Sequence, residues 1–195
     1  IGSHEVSFGF EFEQRQDYYW GSSPRSLWTL GRQLANNHIL ERDLSNPLPG
    51  FNQNGIFNDT INYNRLYNSE IHSTFDKSLR DALNISIDGL EYIDIDSYDP
   101  STFDISMFSQ DELLNNGSNL VYYGFDIYGN KLDNKPSLQD FFTREVTDQF
   151  GDNRYAREIA PFEPIYMAGY IQDKFAVEDL IFNIGLRIDR YDANQ

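Results

Sequence analysis

The chain contains no cysteine. That excludes a disulfide framework, a thiol nucleophile and any cysteine-ligated metal, while leaving the compartment open. Basic residues are scarce: 15 Lys and Arg stand against 31 Asp and Glu, a formal net charge of −16. A nucleic-acid binder needs a basic footprint for phosphates, and a polybasic membrane-surface binder needs one for anionic headgroups. The charge argues against both. No apolar run is long enough for a membrane-spanning helix, and no secretory signal opens the chain. A transmembrane barrel escapes this exclusion, because its strands need only about 9–11 alternating residues. Methionine is rare too, with 2 residues against 13 Tyr and 15 Phe. An aromatic share of 15% favours strands and half-wet surfaces over disorder.

What is present is alternation at both ends. In HEVSFGFEFEQR, Val6, Phe8, Phe10 and Phe12 fall on one face, and Glu5, Ser7, Gly9, Glu11 and Glu13 on the other. Near the C-terminus Ile165, Met167, Gly169, Ile171, Phe175 and Val177 share one parity, with Asp173 as a blemish. After the tight connection Val177-Glu178-Asp179-Leu180, a second strand carries Phe182, Ile184, Leu186 and Ile188 on one face. Three long strands are expected, at 1–17, 165–177 and 180–191. An ordinary sandwich strand alternates in the same way. The contrast of Phe against Glu, with Tyr18-Tyr19-Trp20 just past the first strand, favours a lipid-facing stripe and an aromatic girdle. The chain opens on Ile and ends in mid-pattern, so it is expected to be a piece of a larger barrel.

Residues 18–164 differ in character and read as a folded insertion with its own short helices. Ser23-Pro24 opens a helix carrying Leu27, Leu30 and Leu34. Ser69 is expected to cap a helix with Ile71, Phe75, Leu79 and Leu83 on one stripe. SQDELL has the capping-box pattern of Ser109 and Glu112, and another helix is expected through SLQDFFTREV. Short strands are expected at Leu90–Ile95 and at Leu120–Ile127, with turn glycines such as Gly117 and Gly129. The stretch 43–62, rich in Asn, Asp, Gly and Ser, suggests no regular element.

Chemical signals are few. Asp94, Asp96 and Asp99 are hard oxygen donors of the kind Ca²⁺ prefers, but their spacing fails the EF-hand pattern. A solvated strand edge running into an Asp-Pro turn is the plainer reading. His4, His38 and His72 are scattered, with no i, i+4 pair and no neighbouring carboxylate motif of the zinc-protease type, so surface or cap roles are the default, although sequence distance does not forbid a spatial cluster. No nucleophile elbow, phosphate loop or dinucleotide fingerprint occurs, and no enzymatic activity is expected.

The run Tyr170-Ile171-Gln172-Asp173, followed by Gly185-Leu186-Arg187 and Asp189, resembles the hairpin pattern of TonB-dependent outer-membrane receptors. HEVSFGFEFEQR, LWTLGRQLANNHI, EYIDIDSYDPSTF, MFSQDELLNNG and YYGFDIYGNK resemble stretches of the Bacteroidota receptors with a carboxypeptidase-regulatory-like domain. The resemblance implies a fold class of mainly antiparallel β, a transmembrane β-barrel segment with a large α+β extracellular loop. It implies a Gram-negative outer-membrane location, with lipid, the rest of the barrel and plug, and the TonB system as partners. It also implies uptake of an unknown small-molecule, glycan or peptide ligand, and no nucleic acid. Two other functions stay open: a soluble or surface-exposed α+β binding or adhesion module, and a surface hydrolase using carboxylates.

Overall fold

The computed structural model describes residues 4–115 and 119–194, so the expected turn at Gly117 lies outside the described residues. The chain is mixed α+β, and among the described residues its strands form four small sheets. It divides into two compact units. One holds the chain up to Trp20, Tyr122–Thr143 and the chain from Arg157; the other holds Gly21–Val121 and Arg144–Ala156. The expected insertion is thus shared between the units, since 122–143 and 157–164 cluster with the long strands.

In the first unit, β1 (His4–Gln14) pairs antiparallel with β8 (Ile165–Val177), which pairs antiparallel with β9 (Leu180–Asp192). Glu178 adopts a left-handed φ of 54° to make the tight turn between β8 and β9. The register places Phe8 beside Ile171 and Ile171 beside Leu186, so the apolar parities of all three strands share a face. Opposite them runs a polar ladder. Arg187 pairs with Glu11 and Asp189, Lys174 with Glu5, and the Tyr166 hydroxyl donates to Asp189.

The expected strands therefore form, but the expected architecture does not. The sheet is open, with β1 and β9 at its edges, and among the described residues no sheet closes into a barrel. Closure needs a tilted, staggered ring of about eight or more strands. Alternation reports that a sheet has two chemically different faces; it does not say what lies against either one. Val6, Phe8, Phe10, Phe12, Ile171, Phe182, Ile184, Leu186 and Ile188 are exposed, while Ile165 and Met167 are half-buried. Separately, among the described residues no helix is long and apolar enough to cross a membrane.

The first unit also contains α4 (Leu138–Thr143), shorter than the sequence suggests. Strand β2 (Tyr19–Ser22) pairs with β5 (Leu120–Tyr123); the chain passes from one unit to the other within each of these strands, and β5 stops before the expected Ile127. Trp20 donates its indole N–H to the Ile127 carbonyl (3.2 Å) and covers Gly129, whose φ of 93° suits glycine.

The second unit is built on α1 (Pro24–Leu34), capped by Ser23 as its sequence predicts, and α2 (Thr74–Ala82). The cap of α2 is Ser73, not Ser69; Ser69–Ile71 is a separate 3-10 turn capped by Asn68. Phe75 and Leu79 of α2 are buried with Leu30, Ile39, Ile93 and Leu113, while Ile71 is exposed. Each large side chain buried in this way stabilises the fold by about 1.5–3 kcal/mol. Phe75 stacks on Phe108 with ring centroids 4.3 Å apart. The Ser109–Glu112 capping box opens α3 (Gln110–Leu114) as expected. Leu90–Ile95 forms no strand: Ile95 begins a 3-10 turn. The stretch taken as irregular is a hairpin, β3 (Arg42–Phe51) and β4 (Phe57–Arg65). A second small hairpin, β6 (Glu145–Thr147) and β7 (Asn153–Tyr155), completes the unit.

Candidate metal centre

Three segments of the second unit meet at one carboxylate. After α1, Asn36 takes a left-handed φ of 61° and leads into the 3-10 turn Asn37–Ile39, which carries His38. Asparagine tolerates that conformation better than most residues. His72 ends the turn before α2, and Asp76 lies in the first turn of α2, where the helix dipole favours a negative charge. Asp76 also receives the Asn36 amide on Oδ1 at 2.7 Å. The Asn36 side chain pairs with both the N–H and the C=O of Ile93, at 2.7 and 2.8 Å, and is held on both sides.

The Asp76 Oδ2 atom is the focus. It accepts from Arg80 Nε at 2.7 Å, and His72 Nε2 and His38 Nδ1 face it at 2.9 and 3.1 Å. The side chains of all four residues have no exposed surface. Arg80 is anchored beyond this oxygen by the Glu91 carbonyl at 2.7 Å. The imidazoles of His38 and His72 stack with centroids 3.9 Å apart.

Proton accounting separates the two histidines. His38 Nε2 lies 3.1 Å from the Gly89 carbonyl, which can only accept, so Nε2 carries the proton. In the neutral ring Nδ1 is then a lone pair aimed at a carboxylate oxygen, and it makes no hydrogen bond. His72 has two choices. Its Nε2 can donate to Asp76, or its Nδ1 can donate to the Tyr67 hydroxyl 3.4 Å away. That hydroxyl is free to accept, because it gives its own proton to Asp88 at 2.7 Å, a bond that pushes the Tyr67 pKa up to about 12.

Electrostatics keep the charge on the carboxylate. Burial alone raises the Asp76 pKa, but bonds from His72, the Asn36 amide and Arg80 outweigh it and hold the group below its ordinary value. Burial lowers the His38 pKa, which the Gly89 bond and the Asp76 charge offset only in part.

His38, His72 and Asp76 each offer one ligand atom, all within 4.8 Å of one another, and so form a buried cluster that could coordinate a metal ion. The donor set fits a cation. A carboxylate oxygen has two lone pairs, one for Arg80 and one for an ion, and the orphaned His38 nitrogen points the same way. The outer N–H bonds to Gly89 and Tyr67 are the kind that orient ligating imidazoles.

The aspartates singled out from sequence lie elsewhere and serve separate turns. Asp94 caps the Ile95–Ser97 turn, and Asp99 caps Pro100–Thr102. Asp96 is held by Arg32 at 2.7 and 2.9 Å and by the Trp28 indole at 3.0 Å. The guanidinium bond lowers the Asp96 carboxyl pKa, and a bond from Ser101 lowers that of Asp99. Of the histidines, only His4 has the surface position expected, beside Asp173 at 2.8 Å. The signal that sequence reading passed over is His72-x-x-x-Asp76, a helical spacing between unlike ligands. Nothing in the sequence adds His38 to that pair.

No family model, no curated protein and no solved structure matches the chain. The resemblance to TonB-dependent receptors is corrected on this ground together with the open sheet. The outer-membrane location and the lipid, plug and TonB partners that it implied fall with it.

Proposed function

We propose that the chain is a non-catalytic α+β binding module that takes up one divalent cation at His38, His72 and Asp76. One observation carries this reading: the buried His38 Nδ1, without a hydrogen bond, faces the carboxylate oxygen that His72 also faces. A cation between them turns a repulsive lone-pair contact into three bonds. Binding lets His72 hand its Nε2 proton away and donate from Nδ1 to Tyr67 instead.

Two nitrogen donors and one oxygen suit a borderline ion of the Zn²⁺ class. Ca²⁺ prefers six to eight oxygens and ranks behind it. The ligand side chains have no exposed surface, which supports a structural ion over one that meets a substrate. Titration calorimetry on metal-free protein tests this. One equivalent of Zn²⁺ or Co²⁺ is expected to bind, with Co²⁺ giving visible bands of a nitrogen–oxygen site, and Ca²⁺ failing at the same concentration. Binding that persists in a folded His38→Gln variant, or no binding to the wild type, overturns the proposal.

Arg80 on the same oxygen favours a second reading, in which the cluster is a polar keystone satisfied by the guanidinium alone. Absence of Zn²⁺ binding to the intact protein is the outcome that selects it.

A further inference from the structure

We infer that cation uptake at this site locks the base of the β3–β4 hairpin, so that the ion controls how firmly the hairpin is held. The inference rests on the cation-binding reading above and adds what the ion does. His38 lies just before β3 and His72 just after β4, so the entire ribbon is the loop between two ligands.

The two arms that enter and leave the ribbon are already laced together down to the ligands. Leu66 donates its amide to Glu41 at 3.0 Å, and Asn68 donates to the His38 carbonyl at 2.8 Å. Arg65 spans the Ile39 and Leu40 carbonyls at 3.2 and 3.3 Å, and the Asn37 side chain reaches the Ile71 carbonyl. Beyond this base the ribbon has little to rest on. Leu44, Leu48, Phe51, Ile56, Phe57 and Ile61 are all exposed, and the ladder shifts register between Arg42 and Pro47 and again near Phe51. A two-stranded hairpin without a covered face is marginal by itself, so its persistence depends on the base.

An ion bridging His38 and His72 closes that loop as a cross-link does. It removes open conformations in which the arms separate, and the entropic effect grows with the length of chain enclosed. Asp76 adds a third attachment to α2, which Arg80 fixes to the Glu91 carbonyl. The ion therefore joins the two arms to the buried helix at one point.

Hydrogen exchange resolved by residue, with calorimetry on the same metal-free sample, tests the inference. Saturating Zn²⁺ is expected to slow exchange of the Leu66 and Asn68 amides at least tenfold, leaving the β8–β9 amides unchanged. If calorimetry shows binding but those two amides exchange as before, the lock is wrong and the cation site stands. Without binding, both fall together. Equal slowing throughout, β8–β9 included, reports general stabilisation and overturns the lock. The same slowing in folded His38→Gln protein places the ion elsewhere and overturns it too.

Discussion

His38 and His72 stack face to face, 3.9 Å between ring centroids and 21° from parallel, although the whole β3–β4 hairpin separates them in sequence. Both rings turn a nitrogen toward the same Asp76 oxygen. The Tyr67 ring stands edge-on to both, at 5.6 and 5.8 Å. Tyr67 is thus a positioning group for the pair.

Replacing Tyr67 by Phe keeps the ring and removes the acceptor for His72 Nδ1. Zn²⁺ affinity is expected to fall by about tenfold or more, the usual cost of losing an outer partner of a ligating imidazole. Competition with a chromophoric chelator measures it. Unchanged affinity means that the hydroxyl does not orient His72.

Asp76→Asn leaves the buried Arg80 guanidinium without its counter-charge. Breaking one side of a buried pair costs about 3–5 kcal/mol. Urea unfolding of the metal-free variant is expected to show a loss of that order. A loss under 1 kcal/mol means that water or another group compensates Arg80.

Glu112 provides a pH dependence. Its carboxylate accepts the Thr74 amide at 2.7 Å and the Ser109 amide at 2.8 Å, yet burial is the larger influence and raises its pKa. A raised carboxyl favours the protonated folded state. Its contribution is therefore fully present below the unfolded pKa and is lost as pH rises through the folded value. Relative to Glu112→Gln, the wild type is expected to lose stability as pH rises above the ordinary carboxylate range. Parallel denaturation profiles for the two proteins would show that Glu112 titrates normally.

Gly31 lies on the buried face of α1, against Phe75. A Cβ there meets Phe75 Cζ at 3.1 Å, and Phe75 is itself stacked on Phe108. Gly31→Leu is expected to destabilise by about 1–3 kcal/mol through overpacking, despite the better helix propensity of leucine. Thermal unfolding gives the sign, and a rise in Tm rejects the crowding account.

Local chemistry was legible in the sequence and pairing partners were not. Ser23 and the Ser109–Glu112 box announce their helices because the capping atoms lie within one turn. The long strands were visible from parity alone. The β3–β4 hairpin was hidden by its Asn, Asp, Gly and Ser content, and its Pro47 and Pro49 are tolerated in a ribbon whose outer sides need no partner. Leu90–Ile95 shares one strand property, since Ile93 and Ile95 are buried at alternate positions. The backbone there pairs with the Asn36 side chain, which takes the place of a neighbouring strand at Ile93. The His38, His72 and Asp76 cluster shows the same limit: His72 and Asp76 share a readable spacing, and His38 arrives from across the hairpin.

The chain leaves and rejoins its strands at neighbouring points. Arg15 bonds to Pro164 at 3.1 Å, and Asp17 bridges Phe162. Within the second unit Ser23 meets Asn119, at 2.9 Å, and Ala156 meets Arg144, at 2.8 Å. Segments with adjoining ends behave as cassettes: they can be lengthened, shortened or exchanged at small entropic cost while the carrying strands keep their register. The unit that carries His38, His72 and Asp76 is bounded by such adjoining ends, Ser23 with Asn119 and Arg144 with Ala156.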